Sequence, residues 1–122
     1  MIIFIERAIS GGEVYREKFE QKGYAVRSLT DDQVELWLEY ATETDLNSVE
    51  AFCLGTCTDD RKAVAAIRSR YSGPIVCLIE QKSLPNLIGL FNAGADDVVV
   101  KPVHYEELLV RLLDAHLLAA RP

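Results

Sequence analysis

The sequence predicts an α/β fold, a parallel β-sheet with helices on both faces. Three features predict it. Apolar strand-like segments alternate five times with segments of helical periodicity, the pattern of a doubly covered parallel sheet. One of them, Ile75-Val76-Cys77-Leu78-Ile79, is apolar at every position, as a central strand covered on both faces requires. Gly and Pro punctuate the joins, at Gly11-Gly12, Gly23, Ser72-Gly73-Pro74 and Gly94.

In chain order, residues 2–6 (Met1-Ile2-Ile3-Phe4-Ile5, then Glu6) read as a short buried strand. The run is too short for a signal peptide and lacks a basic flank and a cleavage site. A helix over 13–22 follows, with Val14, Tyr15 and Phe19 on one face and Gly23 in the position that ends helices. Residues 24–29 read as a second strand. Thr30 or Asp31 is expected to cap the next helix, in which Val34, Trp37, Leu38 and Ala41 recur at helical spacing. Residues 49–55 read as a third strand, and Asp59 opens a helix to about Tyr71 with Ala63, Val64 and Ile67 on one side. After the strand 75–79, Pro85 suits the first turn of a fourth helix to about Asn92. Val98-Val99-Val100 is expected as a fifth buried strand, and residues 104–119 as a leucine-rich last helix.

The 122 residues suit one domain, 1–122, and 49% are apolar, enough for a real core. No apolar run is long enough to span a bilayer. The net charge of −6 argues against this chain itself binding nucleic acid, because such binding rests on neutralising phosphates. Cys53, Cys57 and Cys77 are an odd number without an export signal, so free thiols and a cytoplasmic location are expected. In parallel sheets of this kind the functional crevice lies at the carboxyl ends of the strands, here Glu6, Gly55, Ile79 and Lys101.

Gly94-Ala95-Asp96-Asp97-Val98-Val99-Val100-Lys101-Pro102 resembles the Gly-Ala-Asp-Asp-x-x-x-Lys-Pro segment of response-regulator receiver domains. Glu106-Glu107-Leu108 and Arg111 follow at offsets usual in the OmpR/PhoB type, whose members carry a DNA-binding domain. The amino-terminal stretch and Val49–Gly55 resemble the orphan regulators of flagellar genes in alphaproteobacteria. The resemblance implies a flavodoxin-like (βα)5 receiver fold with strand order 2-1-3-4-5, a cis bond before Pro102, and a DNA-binding domain beyond Pro122.

The departures from the family are as informative. Receivers transfer a phosphoryl group to an aspartate beside an acidic pair that holds Mg²⁺. Here Glu6-Arg7 replaces the acidic pair, Gly55 stands in the acceptor slot, Ile79 replaces the Thr or Ser hydroxyl, and Val98 replaces the switch aromatic; Lys101 is retained. The loop after Gly55 is shorter and lacks the usual Pro and Gly. A one-residue shift places Leu54 in the slot, which serves no better. Asp59 and Asp60 are the nearest carboxylates and fit helix capping better than a displaced acceptor. The losses agree with each other, so the site reads as degenerate, without metal or cofactor. Lys101 is expected to pair with Glu6 across the vacant pocket rather than extend into solvent.

Asp96, Asp97, Glu107 and Arg111 resemble the charges that pair two receivers across their fourth helix, fifth strand and fifth helix, with Leu84, Leu87 and Phe91 as apolar partners. The alternative is a solvated charged face. Leu118 stands where a basic residue is usual, with Arg121 as a substitute, and Leu109, Leu113 and Leu117 add apolar character. Cys53 and Cys77, on adjacent strands, read as buried hydrophobes more readily than as a redox pair, Cys57 being the exposed candidate. His104 and His116 are out of helical phase for a shared metal, and Trp37 reads as a core or half-buried residue of the second helix. No nucleophile–base pair or metal set appears, so an enzyme is not expected. The expected function is a phosphorylation-independent receiver that dimerises and orders a DNA-binding domain. The alternatives are a stand-alone adaptor for a signalling protein and a ligand- or redox-gated sensor using the crevice.

Overall fold

The computed structural model describes residues 1–6, 12–55 and 59–119, with the side chains of 12–14 and 113–119 left aside. Five strands form one parallel sheet in the order β2-β1-β3-β4-β5: β1 (Ile2–Glu6), β2 (Val26–Thr30), β3 (Ala51–Leu54), β4 (Ile75–Ile79) and β5 (Asp97–Val100). This is the fold and strand order expected. Among the described residues the helices are α1 (Gly12–Gln21), α2 (Val34–Tyr40), α3 (Glu43–Asn47), α4 (Asp60–Arg68), α5 (Leu84–Ala93) and α6 (Tyr105–Ala119). The fourth and fifth helices of the sequence reading are therefore α5 and α6.

The alternation of side chains along each strand divides the core in two. Ile3, Ile5, Phe52, Leu54, Ile75, Cys77 and Ile79 face α2, α4 and α5, where Val34, Leu38, Val64, Ile67 and Leu90 meet them. Ile2, Phe4, Ala51, Cys53, Val76 and Leu78 face the opposite layer, where Phe19 of α1 and Leu108 and Leu112 of α6 close the core. Trp37 stands edge-on to Phe52 at 6.0 Å, half-buried against this core, within the core-or-half-buried reading expected.

Several local expectations are corrected. The second strand starts at Val26, not Tyr24, because the Tyr24 N–H bonds back to Phe19 O (3.0 Å) and closes α1, with Gly23 at φ 95°. Neither Thr30 nor Asp31 caps α2: Thr30 is the last residue of β2, and the N-cap is Gln33, with no side-chain cap. Helix α3 was not expected. Its capping box is local, with Asp45 N–H donating to the Thr42 hydroxyl and Thr42 N–H to the Asp45 carboxylate. The fifth strand is not buried on both faces. It pairs with β4 alone, and of its valines only Val99 is buried while Val100 is exposed.

Arg68 ties the end of α4 to the turn that precedes β5. It donates to the carbonyls of Tyr71, Gly73 and Gly94 and, at 2.9 Å, to the Asp96 carboxylate, which also accepts the Ile75 N–H at 2.8 Å. Asp96 thereby fixes the start of both β4 and β5.

Candidate functional site at the carboxyl edge of the sheet

The register of β1 on β3 pairs Ile5 with Leu54, so Glu6 and Gly55 emerge side by side at the carboxyl edge. The Gly55 N–H donates to Ile5 O at 2.7 Å. A Cβ built on Gly55 would lie 2.5 Å from Glu6 Oε1, 2.7 Å from its Cγ and 3.0 Å from its Cδ. Glu6 Oε1 is withdrawn from solvent. The Glu6 carboxylate thus occupies the place where a side chain of residue 55, the position expected from the sequence to correspond to the acceptor, would begin.

Ile79, expected from the sequence to stand at the hydroxyl position, ends β4 buried among the α2–α4–α5 layer. Val98 packs half-buried against the same cluster. Lys101 follows β5, its N–H donating to Ile79 O at 2.7 Å, and the Lys101-Pro102 bond is cis as expected. The Lys101 ammonium lies 3.5 Å from the carboxylate of Glu80, and Glu6, Glu80 and Lys101 line one cavity. Glu80 was missed in the sequence; its signal was a lone acid directly after an unbroken apolar strand. Arg7 and Cys57 lie outside the described residues. Asp59 caps α4, accepting the Lys62 N–H at 3.1 Å, as its sequence position predicted. Among the described residues no three His, Cys, Asp or Glu side chains are grouped to hold a metal ion.

On the α5–β5–α6 face, Arg111 meets Asp97 at 3.3 Å and Glu107 at 3.4 Å. Asp96 is not with them, since Arg68 holds it on the other side of β5's first residue. Leu87 turns inward against the core, and the exposed apolar stripe of α5 is Leu84, Ile88 and Phe91, one face at spacings of four and three. Val100 and Val110 extend it. The sequence reading thus had Leu84, Phe91, Asp97, Glu107 and Arg111 on this face and missed Ile88.

The two described cysteines cannot form a disulfide. Cys77 is paired in register with Leu54, and Cys53 with Val76, so the two thiols point to opposite faces of the sheet. Burial pushes the Cys77 thiol up to about 12, with nearby Asp60, Asp96 and Asp97 adding to it. Its protonated form is favoured by folding, so this contribution to stability is complete below the ordinary thiol value of 9.0 and is lost as pH rises toward 12. Ellman's reagent at pH 8 should leave Cys53 and Cys77 unlabelled until denaturant is added, with peptide mapping to separate them from Cys57. Rapid labelling of either in the folded chain would contradict their burial.

No protein-family model matches the chain. The sequence is 34% identical over 112 residues to the flagellar transcriptional regulator FtcR of Brucella abortus (strain 2308), covering 92% of this chain and 49% of that protein. It is 24% identical over 111 residues to the transcriptional regulatory protein HprR of Escherichia coli (strain K12), covering 91% and 49%. The BeF3-activated N-terminal receiver domain of Klebsiella pneumoniae RstA superposes with a TM-score of 0.74 at 20% identity, covering 98% of each chain. The chain is a response-regulator receiver domain. This receiver spans about half the length of the curated relatives it matches. Among its described residues no helix is long and apolar enough to cross a membrane.

Proposed function

We propose that this receiver acts without phosphotransfer, as the regulatory domain of a cytoplasmic transcription regulator whose DNA contacts are made by a separate domain. The observation that carries this reading is the Glu6 carboxylate in the space of the acceptor side chain, beside Gly55 and an apolar Ile79. Phosphoryl transfer needs a nucleophile, a metal to neutralise charge and donors to the equatorial oxygens. Lys101 alone of that set is present, and it faces Glu80. Flagellar genes are the proposed targets, supported by the name of the 34% identical relative. Dimerisation through the α5–β5–α6 face is the proposed route by which the receiver orders the DNA-binding domains, supported by the exposed Leu84, Ile88 and Phe91 beside the Asp97–Arg111–Glu107 charges.

Incubation with acetyl phosphate or phosphoramidate and Mg²⁺, followed by intact mass, should give no base-labile adduct. An adduct mapped to Asp59 or Asp60 would remove the reading. Millimolar Mg²⁺ should leave the melting temperature where an ionic-strength control leaves it, because octahedral Mg²⁺ sites use grouped carboxylates and among the described residues no three His, Cys, Asp or Glu are grouped to hold a metal. A rise above that control would show a retained metal site.

A further inference from the structure

Between α1 and the β5–α6 connection lies an open cavity of about 710 Å³, within the size range of small-molecule sites. Its exposed lining is mostly carbon, with Glu6, Lys18, Glu80, Lys101 and His104 contributing charged or polar ends. Tyr15 from α1 stands on one side, its ring stacked on Phe4 at 6.0 Å and its hydroxyl donating to Val103 O at 2.9 Å, so the ring is fixed. Burial raises the Tyr15 hydroxyl above its ordinary value and keeps it a neutral donor. Val103 and Tyr105 form the other side.

The charges in this cavity are not equivalent. Glu6 turns Oε1 toward Gly55, and Lys101 faces Glu80. Lys18 differs. Among the described residues it has no ion pair, and its ammonium lies over the Tyr105 ring at 5.4 Å from the centroid. A half-buried cation held on an aromatic face is partly desolvated, and an anion reaching it from the cavity gains more than it would in open water. His104 at the rim accepts the Glu106 N–H on Nδ1 at 3.2 Å, which leaves Nε2 as the ring's donor.

We propose that this cavity binds a small planar aromatic carboxylate, its ring between Tyr15 and Tyr105 and its carboxylate on Lys18. The proposal goes beyond the dimer reading and does not depend on it, since the site lies on α1 and the β5–α6 connection of a single chain. A ligand there would touch the segment leading into α6, the helix that carries Glu107 and Arg111, and so would give the receiver an input in place of phosphate.

The test is a titration of the isotope-labelled chain with benzoate and 4-hydroxybenzoate, following backbone amides. Acetate, which lacks a ring, and benzylamine, which carries the opposite charge, serve as controls at equal concentration. Saturable shifts at Lys18, Val103 and Tyr105 with the aromatic acids and not the controls are expected. Lys18→Met should weaken binding at least roughly tenfold while leaving the spectrum otherwise folded, and Tyr105→Leu should weaken it as well. The absence of saturable shifts up to about 10 mM of either acid, equal binding of benzylamine, or unchanged affinity in Lys18→Met would each overturn the proposal. None of these outcomes bears on phosphotransfer or on the dimer.

Discussion

Gly55→Asp, the substitution that restores an acceptor on paper, is expected to destabilise the chain and to restore no chemistry. The new Cβ would fall 2.5 Å from Glu6 Oε1 and 2.7 Å from Glu6 Cγ, so the Glu6 side chain must move from its root and not only at its tip. Overpacking of this kind costs about 1–3 kcal/mol, and Gly55→Ala isolates it. The aspartate adds a second carboxylate against the first, whose Oε1 is withdrawn from solvent, so its deficit exceeds that of the alanine variant. Protonating one carboxyl removes that repulsion. The gap between the two variants should therefore close on acidification and widen as pH rises past the carboxylate range. Urea unfolding at constant slope reads both effects. Combining Gly55→Asp with Glu6→Ala should recover most of the loss, because the space and the charge are then vacated together. Neither variant should accept a phosphoryl group, since Ile79 still lacks a hydroxyl. A Gly55→Asp chain as stable as the parent at pH 7 would mean that Glu6 yields its position freely.

The strands that the sequence announced most clearly were those buried on both faces. For β1 and β4 an unbroken apolar run has one interpretation in an alternating pattern. The edge strand β5 is likewise an apolar run, of three valines, yet Val100 is exposed, because composition does not tell a strand with one neighbour from a strand with two. Helix α3 escaped because five residues show no period, although Thr42 and Asp45 already spelled its cap. The rotation of α5 was ambiguous for the opposite reason. Leu84, Leu87, Ile88, Leu90 and Phe91 form one continuous apolar arc over nearly half of the helix, and only packing on Leu90 and Leu87 decides that Ile88 faces out. Asp96 and Asp97 are neighbours that point apart; Arg68, 28 residues earlier, selects the first. At the edge of the sheet the departures from the family pattern are read one residue at a time. That Glu6 fills the place left by Gly55 cannot be read so, since it depends on the register of two strands 49 residues apart in the chain for their first members, Ile2 and Ala51.

Arg111→Glu should weaken self-association by about 1–3 kcal/mol, roughly 5- to 150-fold in Kd, if the chain dimerises through the α5–β5–α6 face. In one chain Arg111 already bridges Asp97 and Glu107 at 3.3 and 3.4 Å, with the three side chains between about a third and a half exposed. Exposed pairs of this geometry contribute little within a monomer. A two-fold contact brings each set against its copy, so the same charges can be satisfied across the interface while Leu84, Ile88 and Phe91 lose water together. A switchable receiver is kept from this contact until phosphate arrives. On the proposed reading, in which Ile79 and Val98 stand at the positions of a hydroxyl and an aromatic ring, a phosphate-driven shift is not available and association should occur in the unmodified chain. Reversal at Arg111 gathers three acids and can loosen the fold itself, so Ile88→Asp supplies an independent variant on the apolar stripe. Leu36→Asp is the control: Leu36 is 59% exposed on α2, away from this face, and its substitution should leave the dimer intact. Sedimentation across roughly micromolar to hundred-micromolar concentrations resolves association of this strength. A parent chain monomeric throughout, or a dimer indifferent to both Arg111→Glu and Ile88→Asp but sensitive to Leu36→Asp, would move the interface off this face and favour an adaptor that binds a different signalling protein.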